Sequence, residues 1–564
     1  MNLTSVFSIA EICAQHGIKE VILSPGSRCA PLTLAFVRHP AIQVRTISDE
    51  RAAAFIALGM ALTKRQPVVL VCTSGTATLN FAPAVAEAFY QQVPLLVFTA
   101  DRPAEWIDQL DGQTIRQENV YGAHVKQSFS FPVDTQHPDV EWFAERLLSE
   151  AILAAQAYPA GPVQINVPLR EPFYPPPGEE IKFKKNAKVI REIASSFSLT
   201  ENQSLELQQN LKKFSRILLV AGQQAWQPEL QAALQTFAQQ TGAVIVADVI
   251  SNQQSLPGVI NHHDVFLNGK ATANGTGLQP DLLITFGLSN ISKNLKLFLR
   301  AFSPQQHWHL QPAGKVADPF QSLTQIIRVT PFNFFSGMAS GHDAPHPTYQ
   351  QQWATQETAA KNYLNQFLNQ EIFNEFTVFK RMLDQLPLNC LLHVANSMAV
   401  RYANIIGLEP NKNIEVFANR GTSGIDGCTS TTVGSALSTN KLTVLITGDL
   451  AFFYDRNGLW HNYLPTNLRI IILNNHAGGI FRLIDGSKQQ PELAEFFETH
   501  QPLEAKLTAQ EFNLAYYRCE NLQQLATSLT TFWTGGPGIL EICTQSLENA
   551  AFFELYRKQS PFKK

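Results

Sequence analysis

Pro67 to Cys72 reads Pro-Val-Val-Leu-Val-Cys, apolar at every position. A strand with one wet face alternates polar and apolar residues. A run with no polar position on either face must be covered on both, which places it inside a parallel sheet with helices above and below. The neighbouring segments obey that demand. Short strand-like runs at Glu20–Leu23, Ile42–Ile47, Pro94–Thr99 and Gly161–Pro168 alternate with helical patterns at Leu3–His16 and Ala52–Ala61 and with a small-residue helix opened by Thr73–Thr78 and running to Tyr90. Such alternation predicts a doubly wound α/β sheet.

The pattern recurs twice. Residues about 200 to 335 carry strand signals at Arg216–Val220, Ala243–Ala247, Asp281–Phe286 and His307–Leu310. The last portion carries them at Leu391–Val394, Ile414–Phe417, Thr443–Thr447, Arg469–Leu473 and Gly538–Ile542. Tyr174-Pro175-Pro176-Pro177-Gly178 is a stiff break, and Ser340 to Pro347 is rich in Gly, His and Pro. We therefore expect three doubly wound parallel-sheet domains over 1–178, 179–345 and 346–564, a comfortable division for 564 residues.

Composition excludes several function classes. Hydrophobic content of 45% against 16% charged allows large cores, and a formal net charge of -3 with no dense basic run argues against a nucleic-acid partner. Cys13, Cys29, Cys72, Cys390, Cys428, Cys519 and Cys543 form no C-x-x-C pair, which predicts buried thiols in a reducing compartment rather than zinc. Met1 to Gly17 includes Glu11 and no basic leader region, and no apolar run reaches the ~20 residues that span a bilayer. The expectation is a cytoplasmic protein with no membrane partner.

Chemistry concentrates where strands end. Asn419-Arg420-Gly421-Thr422-Ser423-Gly424-Ile425-Asp426-Gly427, Thr447-Gly448-Asp449-Leu450 and Leu473-Asn474-Asn475-His476-Ala477-Gly478-Gly479 each follow or end an apolar run. Asp449 and Asn475 offer hard oxygen donors at the ends of neighbouring strands, and the Ala477 carbonyl is available as a third. Such donors hold Mg²⁺ beside phosphate oxygens, so this half-site is read as a grip on a diphosphate cofactor. In the first portion Ser24-Pro25-Gly26-Ser27-Arg28 is either an anion-binding corner or an ordinary turn with a surface arginine. Glu50 is by itself no more than an acid favoured by a helix N-terminus. Thr73-Ser74-Gly75-Thr76 lacks the lysine of a P-loop, and the middle portion lacks G-x-G-x-x-G after a strand.

Gly448-Asp449-Leu450 through Asn474-Asn475 resembles the fingerprint of thiamine-diphosphate-dependent enzymes, with Leu450 where glycine is usual. Ser24–Arg28, Ser48-Asp49-Glu50-Arg51, Thr73–Ala77, Thr99-Ala100-Asp101-Arg102-Pro103, Ile115-Arg116-Gln117 and Asn419–Gly427 resemble, within that superfamily, the 2-succinyl-5-enolpyruvyl-6-hydroxy-3-cyclohexene-1-carboxylate synthase family of menaquinone biosynthesis. The resemblance implies pyrimidine-binding, central and diphosphate-binding domains in that order. It also implies a transferase that decarboxylates 2-oxoglutarate and adds the succinyl unit to isochorismate.

The resemblance assigns roles residue by residue. Glu50 matches the activating acid at the aminopyrimidine, and Ile425 the apolar wedge under the bent cofactor. Ser74, Gly75, Asn396, Gly424, Gly448, Asp449, Leu450, Asn475, Gly478, Ile480 and Phe481 complete the cofactor set. Asp449, Asn475 and Ala477 would hold Mg²⁺, or Mn²⁺ in its place. Ser397, Arg401 and Arg420 match the succinyl-carboxylate site, and Ser27, Arg28, Arg102, Gln113 and Lys293 the isochorismate side. Carboxylate-rich substrates explain the arginines, which bind them in bidentate fashion. Departures fall at Asn294, where a second cation is common, at Gly112, and at His476-Ala477. A homodimer or homotetramer with the cofactor bridging subunits is implied. An acetolactate-synthase-type carboligase and a non-catalytic homologue are the competing readings.

Overall fold

The computed structural model describes residues 4–176, 180–193, 195–267, 277–338 and 347–563. The expected domain breaks after 178 and 345 both lie outside the described residues. Among the described residues three sheets form, and every strand pairing is parallel. The first contains β1 (Glu20–Leu23), β2 (Gln43–Thr46), β3 (Val68–Cys72), β4 (Leu95–Asp101), β5 (Ser128–Ser130) and β6 (Val163–Pro168). The second contains β7 (Ile217–Ala221), β8 (Val244–Ala247), β9 (Leu282–Phe286), β10 (Gln306–Leu310) and β11 (Gln325–Ile327). The third contains β12 (Leu391–Val394), β13 (Glu415–Phe417), β14 (Thr443–Gly448), β15 (Leu468–Asn474), β16 (Ala515–Cys519) and β17 (Gly538–Cys543).

The orders are β2-β1-β3-β4-β6-β5, β11-β10-β9-β7-β8 and β13-β12-β14-β15-β17-β16. Counted from its own first strand, the third sheet repeats the first, and the second follows the same order without a sixth strand. In each, the first strand is flanked by the second and third, so the chain leaves it in opposite directions. That switch point opens a crevice beyond the strand ends where ligands bind.

β5, β11 and β16 fall outside the strands expected from sequence. All three are edge strands, and each has exposed positions. An edge strand touches one neighbour and need not be continuously apolar, so the signal that revealed β3 is absent. The helix expected to open within Thr73–Thr78 and run to Tyr90 is divided into Thr76–Asn80 and Ala82–Gln91, with Pro83 in the first turn of the second. Proline has no N–H to continue the preceding turn.

The outer sheets are joined by two helices in backbone contact. Glu50–Lys64, buried from Ala52 through Ala61, packs against Cys428–Leu437. A Cβ on Gly59 would stand 1.9 Å from the Thr431 carbonyl oxygen, and one on Gly434 2.0 Å from that of Ile56. Glycine at both positions is what allows the approach, and Ser435 Oγ donates to the Gly59 carbonyl at 3.1 Å. Pro347–Leu368 ties the second sheet to the third. Trp353 packs on Phe266 and Phe298, while Phe367 packs on Phe552 and Tyr556. No described helix is long and apolar enough to cross a membrane.

Candidate active site

The third sheet places four loops side by side. β14 and β15 pair with Gly448 opposite Leu473, so Asp449 and Asn475 emerge at adjacent strand ends. Asp449 opens the Asp449–Tyr454 helix and is buried, with Oδ2 accepting from Gln501 Nε2 at 2.7 Å. Burial pushes its carboxyl up to about 6. Asn475 Oδ1 accepts from the Ala477 amide at 2.9 Å, and its Nδ2 donates to Glu375 Oε1 at 2.5 Å. Ala477 keeps a negative φ, while His476 takes the left-handed value of 59°. The His-Ala departure is thereby accommodated, since the strained backbone falls on His476 and not on the residue whose carbonyl is of interest.

A buried carboxylate satisfied by a neutral amide, flanked by an amide oxygen and a loop carbonyl, is a donor set suited to a hard divalent cation. Among the described residues no group of three or more His, Cys, Asp or Glu forms a transition-metal cluster. Glu375, on the Glu375–Gln385 helix, was not assigned from sequence, yet its buried carboxyl touches Asn475 and is pushed up to about 7, chiefly by desolvation. Nothing near it in the chain marks it, because Asn475 lies 100 residues away. Gln501 and Glu498 were missed for the same reason. Glu498 pairs with Arg482 (Nε–Oε1 2.7 Å), and its carbonyl accepts from Gly478 N at 2.6 Å, which shapes the turn carrying Ile480 and Phe481.

Asn396 ties the next two loops together. Its Nδ2 donates to the carbonyls of Asn419 and Gly424, both at 2.7 Å, and its Oδ1 accepts from Arg420 Nη1 at 3.1 Å. Ile425 projects from this loop with 40% of its surface exposed, large for an isoleucine beside a core. Gly448 and Leu450 flank Asp449 and are half-buried.

Ser397, Arg401 and Arg420 are brought together. Ser397 begins the Met398–Ile406 helix with φ 70° and ψ -126°, a conformation costly for any residue with a Cβ. Arg401 Nη1 donates back to the Ser397 carbonyl. Desolvation in the cleft, and then the like charge of Arg420, hold Arg401 below its ordinary value. Desolvation does the same to Arg420, opposed by Asp248 and Glu87. Arg420 Nε is buried with no hydrogen-bond partner among the described residues.

A second group gathers at the ends of β1, β3 and β4. Arg102 Nη1 donates to Ser74 Oγ and to the Gln113 carbonyl, both at 3.2 Å, and its Nε pairs with Asp111. Gln113 holds φ 55°. Arg28 donates to the Leu169 carbonyl at 3.0 Å and lies 4.5 Å over the Phe173 ring. Desolvation first, then Arg102, lower its pKa. Gly75 N donates to buried Gln117 at 2.7 Å. Ser27 precedes Arg28 in the same turn and is exposed. Gly112 lies in the exposed turn before Gln113.

Two expected site members make no side-chain hydrogen bond to the others among the described residues. Lys293 is exposed at the start of the Lys293–Ala301 helix, capped by Ser292, and acts electrostatically on Asp485. Asn294 turns inward, donating to the Asp264 carbonyl at 2.9 Å. The second cation of this helix is Lys296, one turn on, with Nζ on the Asn290 carbonyl at 2.8 Å. Glu50 is half-buried and makes no hydrogen bond to the described residues. Its neighbours do, as Asp49 accepts from Asn457 at 2.8 Å and Arg51 donates to the Tyr454 carbonyl at 2.7 Å. Among the described residues no hydrogen bond or ion pair joins Ser27, Arg28, Arg102 or Gln113 to the half-site at 396–481.

Comparison with known proteins identifies relatives of the whole chain. Residues 4–127 match the thiamine pyrophosphate enzyme N-terminal TPP binding domain, and 193–394 the middle domain of thiamine pyrophosphate enzymes. A 2-succinyl-5-enolpyruvyl-6-hydroxy-3-cyclohexene-1-carboxylate synthase of Cytophaga hutchinsonii is 45% identical over 559 residues, covering 99% of each chain. Proteins of that name from Flavobacterium psychrophilum and Flavobacterium johnsoniae are 39% and 37% identical, covering 96% and 98% of this chain and of their own. In fold, the chain is similar to benzoylformate decarboxylase from Polynucleobacter necessarius, with TM-score 0.72, 15% identity, and 96% and 98% of the two chains covered.

Proposed function

The chain belongs to the 2-succinyl-5-enolpyruvyl-6-hydroxy-3-cyclohexene-1-carboxylate synthase family of thiamine-diphosphate-dependent enzymes, and on that premise we propose how its residues divide the work. The protein is a transferase that decarboxylates 2-oxoglutarate and adds the remaining succinyl unit to isochorismate, with release of carbon dioxide. The reading of the site rests on one observation: the crevice beyond β12 and β14 has a buried carboxylate, Asp449, toward one side and two arginines, Arg401 and Arg420, toward the other.

Asp449, the Asn475 amide oxygen and the Ala477 carbonyl would hold Mg²⁺, or Mn²⁺, leaving the remaining positions to diphosphate oxygens and water. Gly448, Leu450, Gly478, Ile480 and Phe481 line that end. Asn396 and Gly424 carry the wedge Ile425, whose exposed face would press the cofactor into its bent form. When bound, thiamine diphosphate supplies the nucleophilic carbon and the electron sink for decarboxylation.

The protein's own part is placement and charge. Glu50 would set its carboxyl against the aminopyrimidine and hold a proton on its Oε, with Ser74 and Gly75 beside it. Arg420 and Arg401, with the Ser397 hydroxyl, would bind the distal carboxylate of 2-oxoglutarate, which a two-carbon donor lacks. Ser27, Arg28, Arg102, Gln113 and Lys293 would receive the carboxylates of isochorismate. Fixed guanidinium groups in a desolvated cleft act more strongly than in water.

Among the described residues no hydrogen bond or ion pair joins the Glu50 carboxylate or the Arg28–Arg102 group to Asp449, Asn475 or Ala477. We therefore infer at least a homodimer, with the first domain of one copy facing the third domain of the other. The division into 1–178, 179–345 and 346–564 is part of the same reading, as is a cytoplasmic setting, supported by seven cysteines that are all unpaired.

The deciding experiment offers purified protein, thiamine diphosphate and Mg²⁺ the substrates isochorismate with either 2-oxoglutarate or pyruvate. Mass spectrometry should detect the succinyl adduct with 2-oxoglutarate. Preference for pyruvate would overturn the assignment of the arginines.

A further inference from the structure

We propose that Glu87 is a positioning residue for Arg420: its carboxylate grips the two residues that follow Arg420 and thereby fixes where that guanidinium stands. The inference rests on the reading of Arg420 as a ligand for the distal carboxylate of the 2-oxo acid.

Glu87 lies on the Ala82–Gln91 helix of the first domain and is 1% exposed. A carboxylate so deeply buried is tolerated only with partners for its lone pairs. Glu87 has four. Oε1 accepts from Gly421 N at 2.8 Å and from Gln91 Nε2 at 2.6 Å. Oε2 accepts from Thr422 N at 2.6 Å and from the Thr422 hydroxyl. No cation is among them. Three of the four donors belong to the loop of the third domain that carries Arg420. The charge is thus balanced by consecutive loop amides, an arrangement that defines the loop's backbone and not merely its proximity.

The rest of the loop is pinned from the second domain. Ser289 Oγ donates to the Arg420 carbonyl at 3.2 Å and to Gln223 Oε1 at 3.3 Å. Gln223 Nε2 donates to the Ala418 carbonyl and to Gln91 Oε1, both at 3.0 Å. Gly421 lies so close to the helix that a Cβ there would stand 2.8 Å from the Glu87 carbonyl and 3.0 Å from Tyr90 Cβ. Arg420 is thereby held through its own backbone while its side chain makes one hydrogen bond among the described residues, to Asn396, and leaves Nε unpartnered there. A guanidinium preset on a rigid loop loses little freedom on binding a carboxylate. Among the described residues the Glu87 carboxylate makes no hydrogen bond to Asp449, Asn475 or Ala477, so its effect passes through Arg420.

Glu87→Gln tests this. The amide keeps the shape but presents a donor to loop amides that themselves donate. Misplacing a binding group by a fraction of an ångström to one ångström costs up to about a hundredfold. We expect the KM for 2-oxoglutarate to rise about tenfold or more, with kcat at saturation, the KM for isochorismate and the calorimetric Kd for thiamine diphosphate with Mg²⁺ changed by less than about threefold. Glu87→Asp should recover part of the loss. Gly421→Ala, which displaces the same loop without altering charge, should reproduce the selective rise and decides the matter if Glu87→Gln does not fold. An unchanged 2-oxoglutarate KM in a folded variant, or an equal rise for every ligand, would overturn the proposal. Wild-type protein without activity on 2-oxoglutarate and isochorismate would instead bring down the functional reading itself.

Discussion

Gln501 Nε2 stands 2.7 Å from Asp449 Oδ2, and this neutral amide is the strongest partner of a carboxylate at 2% exposure. An acid in that setting gains most from a cation. Asp449→Asn should therefore lower thiamine diphosphate affinity in the presence of Mg²⁺ by about a hundredfold, and Gln501→Ala by about tenfold, as for residues that support a metal ligand. Calorimetric titration at several Mg²⁺ concentrations checks both. Equal affinity of wild type and Asp449→Asn would remove Asp449 from the metal set.

The Glu50 carboxylate makes no hydrogen bond to the described residues, so its loss should leave folding untouched while removing a chemical function. Glu50→Gln is expected to keep the wild-type melting temperature within about 2 °C. Turnover should fall by about a hundredfold or more, the scale of lost proton-handling groups. Near-normal turnover would exclude Glu50 as the activating acid.

Ser397 at φ 70° stores backbone strain on the order of 1–3 kcal/mol. Ser397→Gly relieves it, and Ser397→Ala keeps it while deleting the same hydroxyl. The glycine variant should be the more stable of the two in urea, by about 1 kcal/mol. Both should raise the KM for 2-oxoglutarate if the hydroxyl binds the substrate. Equal stability would show the turn to be unstrained.

His393, buried in β12 and stacked on Phe417 with centroids 5.0 Å apart, is pushed down to about 3 by desolvation. A depressed folded-state value means that the folded protein favours the neutral ring. The stability this provides is present above the unfolded value near 6.5 and is lost as pH falls toward 3, by up to about 1.4 kcal/mol per pH unit. His393→Phe should flatten the urea-unfolding midpoint between pH 6.5 and 4 relative to wild type. An unchanged slope would show that this ring does not titrate on unfolding.

Much of the site was legible because its residues end strands. Asp449, Asn475, Asn396 and Arg420 all follow strands, and a parallel sheet delivers such positions to one edge. Glu375, Gln501 and Glu87 were not legible. Each meets its partner across a separation of 52 to 335 residues, and none sits in a local pattern that differs from an ordinary helix or loop position. Lys293 was singled out in its loop, and in the folded chain it is exposed at the start of its helix and acts electrostatically on Asp485.

By itself the sequence determined three parallel α/β sheets and the loops that bear the chemistry, because full burial of a strand leaves a continuous apolar run that can be read locally. It also carried enough paired motifs to indicate the cofactor. Tertiary structure alone decided which edge strands complete each sheet, that Gly59 and Gly434 bring the outer domains into backbone contact, and that Glu87 grips the loop behind Arg420. These are relations between distant residues, set by close approach and by the need of every buried polar group for a partner, and neither condition leaves a mark on the residues beside it in the chain.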